Sequence, residues 1–167
     1  MRQPHHPEPD PVGPGQESVW DYPRPPALVA SDEHVVVKLG DVVVADTRRS
    51  QKVLETSHPP TYYLPPEDVD LDLLRPAAGS TFCEWKGSAR YYDVVTPQIT
   101  LERAVWDYPT PSRSFAALKD HVSMYPADFE CTVDGERVQP QEGGFYGGWI
   151  TSKVAGPFKG GPGSRFW

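Results

Sequence analysis

The sequence predicts a mainly β domain of short antiparallel strands and hairpins with one short helix. The first observation is that 20 prolines and 14 glycines among 167 residues interrupt the chain too often for long helices. The second is a succession of β-branched and aromatic runs separated by turn dipeptides such as Gly40-Asp41 and Asp134-Gly135. A chain of this length can bury one hydrophobic core, so we expect a single domain.

The first half of the chain predicts a hairpin and an isolated strand. Two β-branched runs, VVVKL and VVVADT, flank Gly40-Asp41, a dipeptide that suits a two-residue hairpin turn. Residues 61–64 predict a strand, because the prolines on both sides favour extended backbone in the residues before them. Residues 68–74 predict a single helical turn that Pro76 ends.

The second half predicts more strands and the short helix. Residues 81–85 and 89–95 form a second hairpin around a Lys-Gly-Ser turn, and residues 98–105 supply the next strand. Residues 115–121 predict the helix, with Ser112 or Ser114 as its cap. Strands at 122–125 and 129–133 follow, the last closed by Asp134-Gly135.

Composition divides the chain into three parts. Residues 1–16 carry five prolines among polar spacers and predict a disordered, extended tail. Residues 17–138 hold the predicted strands and form the domain core. Residues 139–167 are rich in glycine and aromatic residues, and we expect them to pack on this core as a C-terminal extension.

Charge and hydropathy restrict the partners. A net charge of −7 with a pI near 5.1 argues against nucleic acid, because phosphates are bound by clustered Lys and Arg. No apolar run approaches the ~20 residues of a membrane span, and the N-terminus lacks the pattern of a secretory signal. We therefore expect a cytoplasmic protein without membrane contact. An exposed strand edge, or Phe158, Phe166 and Trp167, would allow a homodimer.

Several motifs carry a resemblance to a known family. HPPTYYLP, EDVDLDLLRP and TFCEWKGSARYYDV, with VADTRR before them and VWDYPTP after them, resemble a bacterial family catalogued as domain of unknown function 427. The resemblance covers roughly residues 30–135. It implies a β-tent fold, related in architecture to methionine sulfoxide reductase B and the formaldehyde-activating proteins.

The resemblance does not carry zinc to this chain. Those relatives commonly hold zinc through two CxxC knuckles, whereas Cys83 and Cys131 stand alone here. We expect no metal site and can name no cofactor. The family is also sometimes labelled nucleotidyltransferase-like, a chemistry that needs a Gly-Ser turn followed by paired carboxylates. The carboxylate pair should follow the turn by about ten residues, but Asp93 after Gly79-Ser80 has no second carboxylate in an Asp-x-Asp arrangement, so the sequence gives this label little support.

Cys83 and Lys86 are candidate site residues. A thiolate is the strongest side-chain nucleophile, and a lysine three positions away could lower the pKa of a thiol. Cys83 between Phe82 and Trp85 equally fits a small core residue. Lys86 fits an anion-binding residue, and it equally fits a solvated turn before Gly87.

His58 and three aromatic residues complete the candidate site. His58 follows Glu55 by three positions, an arrangement suited to general acid–base catalysis, although a loop histidine that bonds to backbone fits as well. Tyr63 and Tyr91 each belong to an adjacent tyrosine pair, of which one ring should face a pocket. Trp106 lies in the second of two VWDYP segments, which either plug the ends of a sheet or line a ligand site.

Three functions remain open on the sequence. The first is a small-molecule binding domain with a pocket between its sheets, lined by Tyr63, Cys83, Lys86, Tyr91 and Trp106. The second is an enzyme of small metabolites that uses Cys83 or His58 as a catalytic residue. The third is a protein-interaction module that uses one of the two terminal segments.

Overall fold

The computed structural model describes residues 6–167, and its fold is mainly β, as the sequence predicts. The strands of the described residues are β1 (Glu17–Ser18), β2 (Ala27–Ala30), β3 (Val35–Leu39), β4 (Val42–Thr47), β5 (Gln51–Leu54), β6 (Thr61–Tyr63), β7 (Leu74–Cys83), β8 (Gly87–Val95), β9 (Thr100–Asp107), β10 (Val122–Met124), β11 (Glu130–Val133), β12 (Glu136–Arg137), β13 (Gln139–Pro140), β14 (Trp149–Ile150) and β15 (Val154–Ala155).

The strands form three main sheets and two short ribbons. Two four-stranded antiparallel sheets have the orders β10-β9-β8-β7 and β12-β11-β3-β4, and a three-stranded sheet has the order β2-β5-β6. The ribbons pair β13 with β14 antiparallel and β1 with β15 parallel. The connections include 3-10 turns at Val19–Asp21, Pro66–Asp68, Leu71–Leu73, Arg113–Leu118 and Pro126–Asp128.

The hairpin of β3 and β4 is confirmed. Gly40 between the strands has φ of +59°, a conformation that glycine adopts without steric cost. Val35, Val37 and Leu39 are buried while Lys38 between them is exposed. The alternation of side chains along β3 therefore fixes which face of this sheet meets the core.

The hairpin of β7 and β8 is also present, but its turn lies earlier than predicted. Residues 84–86 connect the strands, and Gly87, with φ of +108°, begins β8 instead of occupying the turn. A 3-10 turn at Leu71–Leu73 lies within the predicted helical turn of residues 68–74, but Pro76 does not end it, because β7 begins at Leu74 and includes Pro76. β7 is an edge strand whose register with β8 shifts between Pro76 and Ser80, and a proline is tolerated in such a place.

The predicted helix is a 3-10 segment that starts two residues earlier than the sequence suggests. It spans Arg113–Leu118, and Phe115 departs from helical geometry with φ of −116°. Ser112 occupies the cap position but its hydroxyl donates to the carbonyl oxygen of Trp85 instead of capping the helix. This contact holds the 3-10 segment against the β7–β8 turn.

The main core lies between the two four-stranded sheets and includes a residue of the C-terminal extension. Val37, Val94 and Val105 are fully buried there. Trp149 of β14 is also fully buried, stacks on Tyr62 with ring centroids 4.9 Å apart, and donates its indole N–H to the Met124 carbonyl oxygen. The extension thus contributes to the same core as the sheets.

The two VWDYP segments adopt different structures. Trp20 lies in a 3-10 turn and donates its indole N–H to the Pro157 carbonyl oxygen at 2.9 Å. Trp106 instead lies near the end of β9. The repeated letters therefore do not correspond to a repeated structural unit.

None of the helical segments within residues 6–167 has the length and apolar character that crossing a membrane requires.

Candidate functional site

A cavity of about 380 Å³ opens where the three-stranded sheet, the β7–β9 strands and the C-terminal extension meet. Small-molecule pockets commonly measure ~300–1,000 Å³, so this volume is sufficient for a compact organic molecule. The six residues that the sequence singles out all line it, namely His58, Tyr63, Cys83, Lys86, Tyr91 and Trp106. Their roles in binding or catalysis stay predictions.

Aromatic rings form the buried wall of the cavity. The Trp106 indole N–H donates to the Tyr63 hydroxyl at 3.2 Å. The Trp106 ring lies 4.7 Å from the Tyr125 ring, and the Tyr63 ring lies 6.1 Å from the Tyr108 ring. Burial raises the pKa of the Tyr63 and Tyr108 hydroxyls, so both stay neutral at physiological pH. The wall is therefore aromatic and uncharged.

The structure decides which tyrosine of each adjacent pair faces the cavity. Tyr63 lines it, whereas Tyr62 points to the main core and donates its hydroxyl to Glu33 at 3.0 Å. Tyr91 lines it, with its hydroxyl 2.9 Å from the Thr81 hydroxyl. The Tyr92 hydroxyl instead donates to the Asp107 carboxylate, which lies outside the cavity lining. The alternation of side chains along β6 and β8 produces both outcomes.

His58 lies in the cavity wall between a carboxylate and an aromatic ring. Its Nε2 is 3.4 Å from Glu55 Oε2, and its ring centroid is 5.4 Å from that of Tyr146. Burial lowers the pKa of His58 to about 4 and outweighs the opposite effect of Glu55. His58 is therefore a neutral imidazole near pH 7.

Two lysines face the cavity from different parts of the chain. Lys86 Nζ lies 5.7 Å from the centroid of the Tyr108 ring, and Lys159 Nζ lies 6.0 Å from that of Tyr146. Lys86 Nζ forms no ion pair with a carboxylate of residues 6–167, whereas Lys159 Nζ donates to the main-chain oxygen of Trp167 at 3.4 Å. Glu55, the acidic residue of the lining, also bonds to Arg24 at 3.3 Å.

The two cysteines differ in environment. Cys83 is partly buried at the end of β7 and lines the cavity as a free thiol. Cys131 is fully buried in the main core, and burial raises the pKa of its thiol to about 12. Within the described part of the chain, no three His, Cys, Asp or Glu side chains are grouped to hold a metal ion.

The C-terminal extension supplies a wall that the sequence does not predict. Gln141, Tyr146 and Lys159 all line the cavity. The Gln141 amide joins the two segments of this wall, because it donates to the Lys159 carbonyl oxygen at 2.6 Å and accepts from the Gly148 N–H at 3.1 Å.

Gly147 permits the close approach of the extension to the aromatic wall. A Cβ at this position would lie 2.5 Å from Cη2 of Trp106, closer than atoms in contact can come. The GGFYGG segment was the available signal, since glycines in an aromatic stretch suggest that backbone approaches a neighbour closely.

The fold and this cavity define a mainly β domain with an aromatic-lined pocket. A family model described as Domain of unknown function (DUF427) matches residues 27–139, and the chain belongs to this family. The family assignment made from the motifs is thus confirmed. A comparison with curated proteins finds no match. Tyr146 and Lys159 lie beyond the matched residues, so the cavity combines the family domain with the extension.

Proposed function

We propose that the protein binds a small molecule in this cavity and that a planar or apolar part of the ligand lies against the aromatic wall. The observation that carries the proposal is that Tyr63, Tyr91, Trp106, Tyr108, Tyr125 and Tyr146 surround one cavity. Pockets for small molecules are usually concave, mainly apolar and equipped with a few polar groups. Here Lys86, Lys159 and neutral His58 are those groups.

Two exposed aromatic side chains support the proposal. Phe82 is 76% exposed and Phe145 is 80% exposed, yet both also border the cavity. They approach it from β7 and from the extension respectively. Exposed apolar groups at the edge of a pocket commonly mark a binding site, because a ligand removes their surface from water.

Native mass spectrometry tests the proposal. The wild-type protein is incubated with a metabolite extract and compared with Tyr146→Ala, which removes the aromatic ring next to His58 from the cavity wall. Phe166→Ala is the matched control, because Phe166 is an exposed aromatic residue of the same extension and does not line the cavity. We expect a bound mass on the wild type and the control, and about tenfold less of it on Tyr146→Ala.

Two results would contradict the proposal. An unmodified wild-type mass after incubation with extracts of several cell types would show that the cavity takes no metabolite. Equal adduct on the wild type and on Tyr146→Ala would show that the bound molecule lies elsewhere.

An enzyme is the second candidate, favoured by the presence of a thiol, an imidazole and a carboxylate in the same cavity. Neutral His58 can accept a proton, but a pKa of about 4 makes it a weak base at pH 7. We therefore place binding before catalysis. The discriminating measurement is the mass of the released ligand, since an enzyme that uses Cys83 returns a product, and Cys83→Ser returns the molecule unchanged.

A further inference from the structure

We propose that the ligand of this cavity is an organic anion whose single carboxylate or phosphate group is held by Lys86 and Lys159 while its aromatic body lies on the tyrosine and tryptophan wall. The inference rests on the proposed function and adds the chemical class of the ligand.

The charges of the cavity oppose the charge of the whole protein. The chain carries a formal net charge of −7. The acidic and basic lining residues are Glu55, Lys86 and Lys159, which sum to −1 + 1 + 1 = +1. The carboxylate among them is already bonded to Arg24 outside the cavity. A positive recess in an acidic protein attracts anions, because its walls concentrate the field at the opening.

The positions of the lysines place them around a common volume. Lys86 belongs to the β7–β8 turn and lies over the Tyr108 ring, whereas Lys159 belongs to the extension and lies over the Tyr146 ring. Both charges act on His58, where each disfavours the protonated imidazole. An anion beside His58 would therefore meet ammonium groups from two separate parts of the wall.

Lys86 also lacks the ion pair that a partly buried charge usually has, and the ammonium group of Lys159 has a weak partner. Both side chains are half-buried. Lys86 has no carboxylate partner among residues 6–167, and Lys159 Nζ donates to the main-chain oxygen of Trp167 at 3.4 Å, a long hydrogen bond. By contrast, Lys52 and Lys153, which are also half-buried but lie outside this cavity, both form ion pairs with Glu33, at 3.1 and 2.8 Å. A charge withdrawn from water is stabilised by pairing, and a bound anion would supply that pairing here.

The number of charges limits the anion. Two ammonium groups suit one carboxylate or one phosphate monoester, whereas a polyphosphate would leave several charges unmatched beside Glu55. The neutral His58 ring can add a hydrogen bond without adding charge. The aromatic rings then accommodate the uncharged body of the same molecule.

Binding of four naphthalene probes tests the inference by isothermal titration calorimetry. The probes share one ring system and differ in the attached group: 2-naphthoate, 2-naphthyl phosphate, neutral 2-naphthamide and cationic 2-naphthylmethylammonium. We expect at least one anion to bind the wild type about tenfold more tightly than the amide and to lose affinity as salt is added. The two anions distinguish a carboxylate site from a phosphate site.

Lysine variants locate the effect. Lys86→Gln and Lys159→Gln should each weaken the anion about five- to tenfold and leave binding of the amide within about twofold. Unchanged binding of the amide also shows that each variant is folded. Lys38→Gln is the matched control, because Lys38 is an exposed lysine of β3 outside the cavity and its loss should change neither affinity.

The failure of the inference is distinguishable from failure of the proposed function. If the amide or the ammonium probe binds as tightly as both anions, or if the lysine variants bind the anions normally, the cavity is a binding site but not one for anions. If no probe binds the wild type at millimolar concentration while the metabolite extract still leaves an adduct that depends on Tyr146, the inference is overturned and the proposed function stands. If neither a probe nor a metabolite binds, both are overturned.

Discussion

At the scale of single residues, His58 shows how burial can outweigh a neighbouring charge. Its carboxylate partner lies 3.4 Å away, yet its pKa is lowered because the ring is largely withdrawn from water. The unfolded chain therefore binds a proton on this residue at a higher pH than the folded chain does. Stability that depends on neutral His58 is present above pH 6.5 and is lost as the pH falls toward 4.

The pH dependence of unfolding checks this assignment. The wild type should lose unfolding free energy when the pH is lowered from 7.5 to 4.5. We expect this loss to be smaller by roughly 2–3 kcal/mol in His58→Gln. The measurement is denaturant unfolding at both pH values, with His121→Gln as the control, because His121 is a half-buried histidine outside the cavity. Identical pH profiles for the wild type and His58→Gln would contradict the lowered pKa.

The two thiols should differ in reactivity. Cys131 is fully buried with a raised pKa, so its reactive thiolate is scarce and out of reach, whereas Cys83 borders an open cavity. We expect iodoacetamide to modify one thiol per chain in the native protein and two after unfolding, measured by intact mass. Cys83→Ala should remove the native modification, and rapid native labelling of that variant would show that Cys131 is accessible.

At the scale of elements, local chemistry determines what the sequence can predict. The β3–β4 hairpin is predictable because the Gly40-Asp41 turn and the alternating valines act within a dozen residues. The β7–β8 hairpin is predictable but its turn is displaced, because Gly87 supplies a positive φ at the start of a strand. Pro76 is mispredicted because its tolerance depends on β7 being an edge strand, which no local pattern reveals.

The contact between the extension and β9 gives a prediction at this scale. Gly147→Ala should lower the free energy of unfolding by roughly 1–3 kcal/mol, because its methyl group would displace the Trp106 ring or the loop itself. Thermal or denaturant unfolding measures the change. Phe145→Ala, two residues away and mostly exposed, should change stability little, and equal stability of both variants would show that the loop moves without cost.

At the scale of the whole molecule, we expect the extension to fold as one unit with the sheets, because Trp149 packs in the main core. Trp149→Ala should cost roughly 3–5 kcal/mol of unfolding free energy, because it removes a fully buried ring from the main core. Denaturant unfolding measures this, with the exposed Phe166→Ala as control. A loss below about 1 kcal/mol would show that the extension is a separable attachment.

The same long-range assembly limits what the sequence reveals about the site. His58, Cys83 and Lys86 stand out because nearby residue types suggest chemistry. Lys159 does not, because it lies 159 − 86 = 73 positions after the lysine with which it shares the cavity. Contacts between distant segments bring these residues together, such as the hydrogen bond from the Lys159 main-chain N–H to the Ser57 carbonyl oxygen at 2.8 Å. The sequence predicts single strands better than it predicts such long-range contacts.

The parallel pairing of β1 with β15 has a mechanical consequence. Glu17 pairs with Val154 and Ser18 with Ala155, and Asp10 adds a main-chain hydrogen bond to Gly156. Since the two strands run in the same direction, tension applied before β1 and after β15 would pull them past each other along their length. Their hydrogen bonds would then be loaded together in shear instead of opening one by one. This short ribbon would therefore resist stretching of the domain from its ends.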